Sequence, residues 1–222
     1  MASYVNLPEG TVRILDDSVL ERYNSSIQTY NQKARETLGQ FNKANGELTG
    51  FSPLMAIQLI DSNMLPAGTS LATRNNLEKA ASKNNSFLKG NYTGFGLALR
   101  TKGDSYKPNN LLAKRLAEQL KKRDIALGTG KLIPLDVLSL SDYKNSAYGV
   151  VLDLKEEAES SIRDLNDFKW DFIRDEGFSR ARFGGDRYWD SCNVRLADSY
   201  SSGRVVVFSA EGTAQNFLEK QN

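Results

Sequence analysis

The chain has 222 residues, of which 40% are hydrophobic and 25% are charged, as is ordinary for a globular protein. Its 29 basic and 27 acidic side chains leave a formal net charge of +2, so no overall field draws it to nucleic acid or to an anionic membrane. The absence of histidine excludes Ser-His-Asp and Cys-His catalysis. The single cysteine, Cys192, excludes an intrachain disulfide and a structural zinc site with four Cys or His ligands.

Two further features of the sequence bear on its location. No stretch approaches the roughly 18 apolar residues that a membrane-spanning helix needs. The N-terminal segment lacks the basic region and the apolar region of a secretory signal. The sequence therefore predicts a cytoplasmic protein with no membrane partner and no resident cofactor.

The N-terminal part is predicted to be mainly helical, with one long helix over about residues 18–45. Apolar residues recur there at spacings of three and four, namely Leu20, Tyr23, Ile27, Tyr30, Ala34, Leu38 and Phe41. This narrow stripe predicts either a helix that packs along its own core or a heptad seam that pairs with a second copy of the chain. Two shorter helices are expected to follow, and Ser52 and Pro53 mark the start of the first.

The hydrophobic period changes near residue 91, where alternation places Phe95, Leu97 and Leu99 on one face of a strand. Later patterns predict a helix with a basic face after Asn110, two central strands and a helix over residues 155–166. Further strands are predicted at 168–172, 178–183, 188–196 and 204–210. In the last of these, the apolar run at 205–208 indicates an interior position in the sheet.

The sequence therefore predicts an α+β fold with two parts. Residues 1–90 form a mainly helical region that contains the long helix and the two shorter ones. Residues 91–222 form an α+β domain, in which a mostly antiparallel or mixed β-sheet packs with two helices.

Asp136, Asp153 and Lys155 have the only spacing in the sequence that resembles catalytic chemistry. The order of elements around them resembles part of the core of the PD-(D/E)xK nucleases, although Leu135 separates Pro134 from Asp136. The resemblance implies that the two aspartates hold Mg²⁺, while Lys155 helps to position or activate a water molecule. In the structural alternative, Asp153 lies at the polar edge of a strand and Lys155 begins a charged helix.

Arginine is the only basic residue type between Trp170 and Glu219. Its members are Arg174, Arg180, Arg182, Arg187, Arg195 and Arg204. Aromatic residues lie among them, as on the sheets that bind single-stranded nucleic acid, and Arg180, Arg182 and Arg187 are the candidate contacts. Nearby acidic residues almost balance this charge, so the alternative is a set of cross-strand Arg–Asp pairs.

Two hypotheses follow from these patterns. The first is a non-enzymatic intracellular interaction or structural protein that self-associates through the helix of residues 18–45 or through a sheet edge. The second is a nucleic-acid-acting protein, either a Mg²⁺-dependent nuclease that uses Asp136, Asp153 and Lys155 or a single-strand binder that uses the arginine face. Cys192 is expected to be a small buried strand residue rather than a nucleophile.

Overall fold

The computed structural model describes residues 3–101, 110–174 and 176–210. In these ranges the α-helices are α1 (Leu20–Ser26), α2 (Gln32–Leu38), α3 (Pro53–Asp61), α4 (Arg74–Lys83) and α5 (Leu111–Lys122). The strands are β1 (Tyr4–Leu7), β2 (Gly10–Ile14), β3 (Asn42–Ala44), β4 (Glu47–Thr49), β5 (Thr69–Leu71), β6 (Tyr92–Arg100), β7 (Gly130–Pro134), β8 (Leu138–Asp142), β9 (Val150–Leu154), β10 (Arg163–Asp164), β11 (Phe172–Ile173), β12 (Gly177–Gly184), β13 (Tyr188–Ser191) and β14 (Val206–Ala210). The predicted α+β class is confirmed.

Two sheets contain most of these strands. The larger has the order β10-β7-β6-β12-β13-β11, and the smaller has the order β1-β2-β14-β5. Neighbouring strands within both sheets are antiparallel except for β11 and β13, which run parallel. Because β14 lies between β2 and β5, the predicted interior position of the last apolar run is confirmed.

The smaller sheet joins strands from both sides of residue 90, since β1, β2 and β5 precede it and β14 follows it. The division into regions 1–90 and 91–222 stays a prediction. Residues 211–222 of the second region lie outside the described residues.

The long helix predicted for residues 18–45 is wrong. Tyr30 and Asn31 have extended backbones, with ψ angles of 160° and 161°, and Gly39 has a φ of 58°. The chain therefore forms α1, then α2, and then the β3–β4 hairpin. Asn31 begins α2, because its side-chain oxygen accepts the backbone N–H of Ala34.

Contacts from distant parts of the chain hold this break in place. The side-chain amide of Asn31 donates to the carboxylate of Asp142 and, at 2.8 Å, to the carbonyl oxygen of Gly149. The break turns the predicted stripe into the protein's own core, where Tyr23, Ile27, Ala34, Leu38 and Phe41 are at most 3% exposed. These side chains are therefore not available as a seam for a second copy.

The helix predicted for residues 155–166 is also wrong. This segment contains two 3-10 turns, at Glu159–Ser161 and Leu165–Asp167, with the short strand β10 between them. Arg123, at the end of α5, donates to three successive carbonyl oxygens at residues 154–156. In the first turn of the predicted helix, these carbonyl oxygens would instead have accepted backbone N–H groups from the next turn. The guanidinium thus replaces helical hydrogen bonds with a tertiary contact.

Strand β6 is buried along its whole length and separates two hydrophobic clusters. Leu97 and Leu99 belong to the larger cluster, whereas Phe95 belongs to the smaller one. Gly94 and Gly96 face consecutive residues of β12, so Phe95 is an extra residue in the ladder. Such a bulge moves a side chain to the other face. The prediction that Phe95 shares a face with Leu97 and Leu99 is therefore wrong.

Helix α5 follows the predicted pattern closely. The side chain of Asn110 accepts the backbone N–H groups of Leu112 and Ala113, and Leu112, Leu116 and Leu120 are fully buried. With 12 residues, α5 is the longest helix in the described ranges. In that part of the chain, no helix combines the length and the apolar character that crossing a bilayer requires.

Candidate functional site

The outer part of the larger sheet, formed by β12, β13 and β11, carries most of the candidate arginines. The turn between β12 and β13 packs tightly against another loop, because a Cβ atom at Gly185 would overlap the carbonyl of Leu88. Arg187, in the same turn, has a φ of 67°, a left-handed conformation that is uncommon for a residue with a side chain. This packing positions the hairpin that aligns the charged residues of β12 and β13.

Arg182 and Asp190 are cross-strand partners in that hairpin. Nε and Nη2 of Arg182 both donate to Oδ2 of Asp190, the first at 2.7 Å. The other carboxylate oxygen of Asp190 accepts the backbone N–H of Cys192 at 2.6 Å. Asp190 is 4% exposed, so this is a nearly buried ion pair in which both oxygens of the carboxylate are used.

Arg180 lies two residues before Arg182 on β12 and is only 1% exposed. Its Nη1 donates to the carbonyl oxygen of Asp198 at 2.7 Å, while its Nε and Nη2 are buried without a hydrogen-bond partner. Burial lowers the pKa of Arg180, and the charge of Arg182 adds to that effect. Arg180 therefore does not lie on an exposed face of the sheet.

Arg100, which the sequence patterns did not single out, is a second buried arginine on the opposite face of the sheet. It is 3% exposed, and its Nη1 donates at 3.3 Å both to Ser179 Oγ and to the carbonyl oxygen of Ser191. Its Nη2 donates to Ser191 Oγ, and its Nε is buried without a partner. Burial lowers the pKa of Arg100. Arg100 is a charged residue in a strand with an otherwise apolar pattern, and this signal could have identified it from the sequence.

The remaining arginines differ in their surroundings. Arg187 is exposed and donates its Nη2 to the carbonyl oxygen of Ala81 at 3.0 Å. Arg204 is 8% exposed and lies 3.2 Å from a carboxylate oxygen of Glu47. The three predicted nucleic-acid contacts, one buried, one ion-paired and one exposed, thus do not form a single open face. Their role in nucleic-acid binding stays a prediction.

Strand β11 forms one edge of the larger sheet and exposes two large apolar side chains. Phe172 and Ile173 are each 53% exposed, and among the described residues β11 has a paired strand only on the side of β13. The Phe172 ring packs edge-to-face on Tyr188, with centroids 5.5 Å apart. Asp171 donates its N–H to the carbonyl oxygen of Trp189, so alternation directs the backbone groups of Phe172 away from β13.

Asp153, in β9, is held by residues of α5 and β8. Its Oδ1 lies 2.7 Å from Nη2 of Arg115 and accepts Nε2 of Gln119 at 3.2 Å. Its Oδ2 accepts the hydroxyl of Ser141 at 3.3 Å. Both carboxylate oxygens thus have partners from neighbouring elements.

Asp136 and Lys155 meet through the backbone of the aspartate. Nζ of Lys155 donates to the carbonyl oxygen of Asp136 at 3.0 Å and lies 3.7 Å from a carboxylate oxygen of Asp61. Asp136 is exposed in the 3-10 turn Leu135–Val137, between β7 and β8. Across the described ranges, no group of three or more Cys, Asp or Glu side chains is arranged to hold a metal ion. The nuclease assignment of these residues stays a prediction.

Cys192 follows directly after β13 and is partly exposed, so it is neither fully buried nor within the strand. Burial raises the pKa of its thiol, and the negative charge of Asp190 adds to the increase. The positive charges of Arg100, Arg174 and Arg182 act in the opposite direction but do not reverse it. A raised thiol pKa leaves little of the reactive thiolate at neutral pH.

Comparisons with known proteins give no relative for this arrangement. No protein-family model matches the sequence, no curated protein matches it, and no solved structure matches the fold. A functional assignment therefore rests on the geometry of the chain's own residues.

Proposed function

We propose that this is an interaction protein that self-associates through the exposed edge of β11. One observation carries the proposal: Phe172 and Ile173 are adjacent on an edge strand, and each is 53% exposed. Successive side chains of a strand point to opposite faces of the sheet. This edge therefore offers apolar surface on both faces at once.

A second copy of the chain is a suitable partner for this edge. Complete burial of a large apolar side chain contributes about 1.5–3 kcal/mol, which gives association a driving force on both faces. The formal net charge of +2 leaves little long-range repulsion between two copies. Because β11 has only two residues, we expect a reversible association rather than an obligate one.

The backbone also limits how two such edges can pair. In an antiparallel ladder, directly opposite residues either both point their N–H and C=O groups at each other or both point them away. We infer the two-fold antiparallel register in which Phe172 lies opposite Phe172 of the second copy, because the outward groups of both residues then form the hydrogen-bonded pair at the axis. The two Phe172 residues then exchange both backbone hydrogen bonds. The residues beside them in the two strands cover the apolar side chains of Phe172 and Ile173.

This edge takes the place of the helical seam that the sequence suggested. Tyr23, Ile27, Ala34 and Leu38 pack inside the chain that contributes them, so they cannot form an interface without unfolding. Self-association through a sheet edge needs no such rearrangement. It uses side chains that are already at the surface.

Sedimentation velocity over a wide range of protein concentration tests the proposal. We expect the weight-average mass to rise with concentration from that of one chain towards that of two. Multi-angle light scattering on the same samples gives the stoichiometry independently of molecular shape. A protein that stays strictly monomeric at every concentration would contradict self-association.

A further inference from the structure

Arg180 is a buried cation without an acidic partner among the described residues. It is 1% exposed, and among the described residues its guanidinium has one hydrogen bond, to a backbone carbonyl oxygen. The backbone N–H of Arg180 donates to the carbonyl oxygen of Asn193 at 2.9 Å. Its side-chain Nη1 donates to the carbonyl oxygen of Asp198 at 2.7 Å. The ring of Tyr200 lies 5.9 Å from the guanidinium carbon. None of these groups supplies a negative charge at the guanidinium.

The nearest acid is committed to other groups. The carboxylate of Asp198 accepts the hydroxyl of Tyr200 at 2.7 Å and lies 3.8 Å from Nη1 of Arg195. Asp198 offers Arg180 its backbone oxygen only. The charge of Asp198 favours protonated Arg180 without a hydrogen bond to the guanidinium, whereas the positive charge of Arg182 on the same strand opposes it.

The unused donors of Arg180 lie on one edge of its guanidinium plane. Nε–H and the adjacent Nη2–H point in nearly the same direction, and their spacing matches two oxygens of a carboxylate or phosphate. Both atoms are buried, and neither has a hydrogen-bond partner. Donors left unpaired inside a protein raise the free energy of the folded state. An acceptor that binds at this edge would therefore lower it.

Arg182 shows what such an edge binds in the same sheet. Its Nε and Nη2 both donate to one oxygen of Asp190. Arg180, two residues earlier on β12, presents the same two atoms, and no described carboxylate fills the equivalent place. The two arginines therefore differ in that a carboxylate of the chain binds this edge of Arg182 but not of Arg180.

We propose that the Nε and Nη2 edge of Arg180 binds a small oxyanion, a carboxylate or a phosphate group. The segment over residues 192–202 covers the guanidinium and contains turns but neither helix nor strand. None of its residues takes part in the ladder between β6 and β12. A bound oxyanion places a negative charge next to the guanidinium of Arg180 and offsets its repulsion by Arg182.

Nitrogen-15 spectra of the arginine Nε–H groups test this site directly. The Arg180 signal is identified by its loss in the variant Arg180→Lys, which keeps the charge but lacks the planar edge. Inorganic phosphate and acetate are titrated separately at constant ionic strength, with chloride as the reference. We expect the Arg180 signal to shift saturably, and the Arg182 signal, whose donors already bind Asp190, to show no saturable shift of its own.

The two arms identify the chemistry of the ligand. Saturation with acetate alone assigns a carboxylate, and saturation with phosphate alone assigns a phosphate group. A second readout is the thermal unfolding midpoint, which a bound anion raises in the native chain and in the matched control Arg195→Lys but not in Arg180→Lys. If neither anion saturably shifts any arginine Nε–H signal of the native chain, the proposal is wrong, whether or not the lysine variant folds. An equal midpoint increase in Arg180→Lys would also overturn it.

Discussion

Arg182 on β12 and Asp190 on β13 face each other. The carboxylate of Asp190 binds both the guanidinium of Arg182 and the backbone N–H of Cys192, which follows β13. Nε of Arg182 lies 2.7 Å from Oδ2 of Asp190, and Oδ1 accepts the N–H of Cys192. Because Asp190 is 4% exposed, its charge depends on these two donors for compensation. Removal of either partner would therefore leave a largely buried charge without compensation.

Replacing Asp190 tests the importance of this pair. We expect Asp190→Asn to lower the free energy of unfolding by about 3 kcal/mol, because it leaves the Arg182 charge uncompensated. Urea denaturation measures the change. Arg195→Gln is the control, since Arg195 is 77% exposed in its pair with Asp198, and we expect it to change stability by about 0.5 kcal/mol or less. Equal losses in the two variants would show that the buried pair has no special weight.

Asn31 offers a test of the break between α1 and α2. Asn31→Ala removes the cap of α2 and the contacts with Asp142 and Gly149, so we expect a loss of about 1–2 kcal/mol. If residues 18–45 formed one helix, alanine would instead stabilise it by about 0.5 kcal/mol. The sign of the change in urea denaturation thus separates the two structures. Lys33→Ala, at an exposed position of α2, is the matched control.

Phe172 is the residue on which self-association should depend most. We expect Phe172→Glu to abolish the rise of mass with concentration, because two carboxylates would face each other at the two-fold axis. Tyr143→Glu introduces the same charge at another exposed aromatic residue, 42% exposed, and should leave association unchanged. Sedimentation velocity of the two variants at matched concentrations measures the difference. Loss of association in both, or in neither, would place the interface elsewhere.

The pH dependence of Cys192 follows from its surroundings. Because burial and Asp190 raise the pKa of the thiol, the thiolate forms only above the pH range of an ordinary cysteine. We expect the rate of alkylation by iodoacetamide to be slow at neutral pH and to have its midpoint above that of the urea-unfolded chain. The chain has a single cysteine, so the rate reports this thiol alone. A midpoint below that of the unfolded chain would mean that the nearby arginines outweigh burial.

Addition of Mg²⁺ separates the proposed function from the nuclease alternative. Since Asp153 is held by Arg115 and Gln119, we expect Mg²⁺ to cause no cleavage of single- or double-stranded DNA, and Asp153→Ala to behave as the native chain does. Gel electrophoresis of labelled DNA measures cleavage. Cutting that requires Mg²⁺ and disappears in Asp153→Ala would establish the alternative. It would leave the self-association measurement as a separate question.

Several local features followed directly from short-range patterns. Ser52 caps α3 and Pro53 occupies its first turn, as expected from a side-chain acceptor followed by a residue with no N–H to satisfy. Asn110 caps α5 in the same way. Such features depend on neighbours within one helical turn, and the sequence contains those neighbours.

The arginines show where pattern reading fails. Alternation indicates which residues of β12 share a face, and Arg180 and Arg182 do share one. It does not indicate what covers that face. Arg180 is buried because residues 192–202 fold over it, whereas Arg187 remains exposed in the turn. The burial of Arg180 thus depends on residues 192–202, and the alternation within β12 gives no information about the position of that segment.

By itself, the sequence determined the α+β class, the capped helices and the interior place of β14, because each depends on local propensity or on a continuous apolar run. Only the tertiary structure decided that residues 18–45 bend inward, that Arg180 is buried and that β11 is an edge. Asn31 receives its decisive partners from Asp142 and Gly149, 111 and 118 positions away. Contacts between such distant residues form only when the chain is folded, so short-range periodicity carries no record of them.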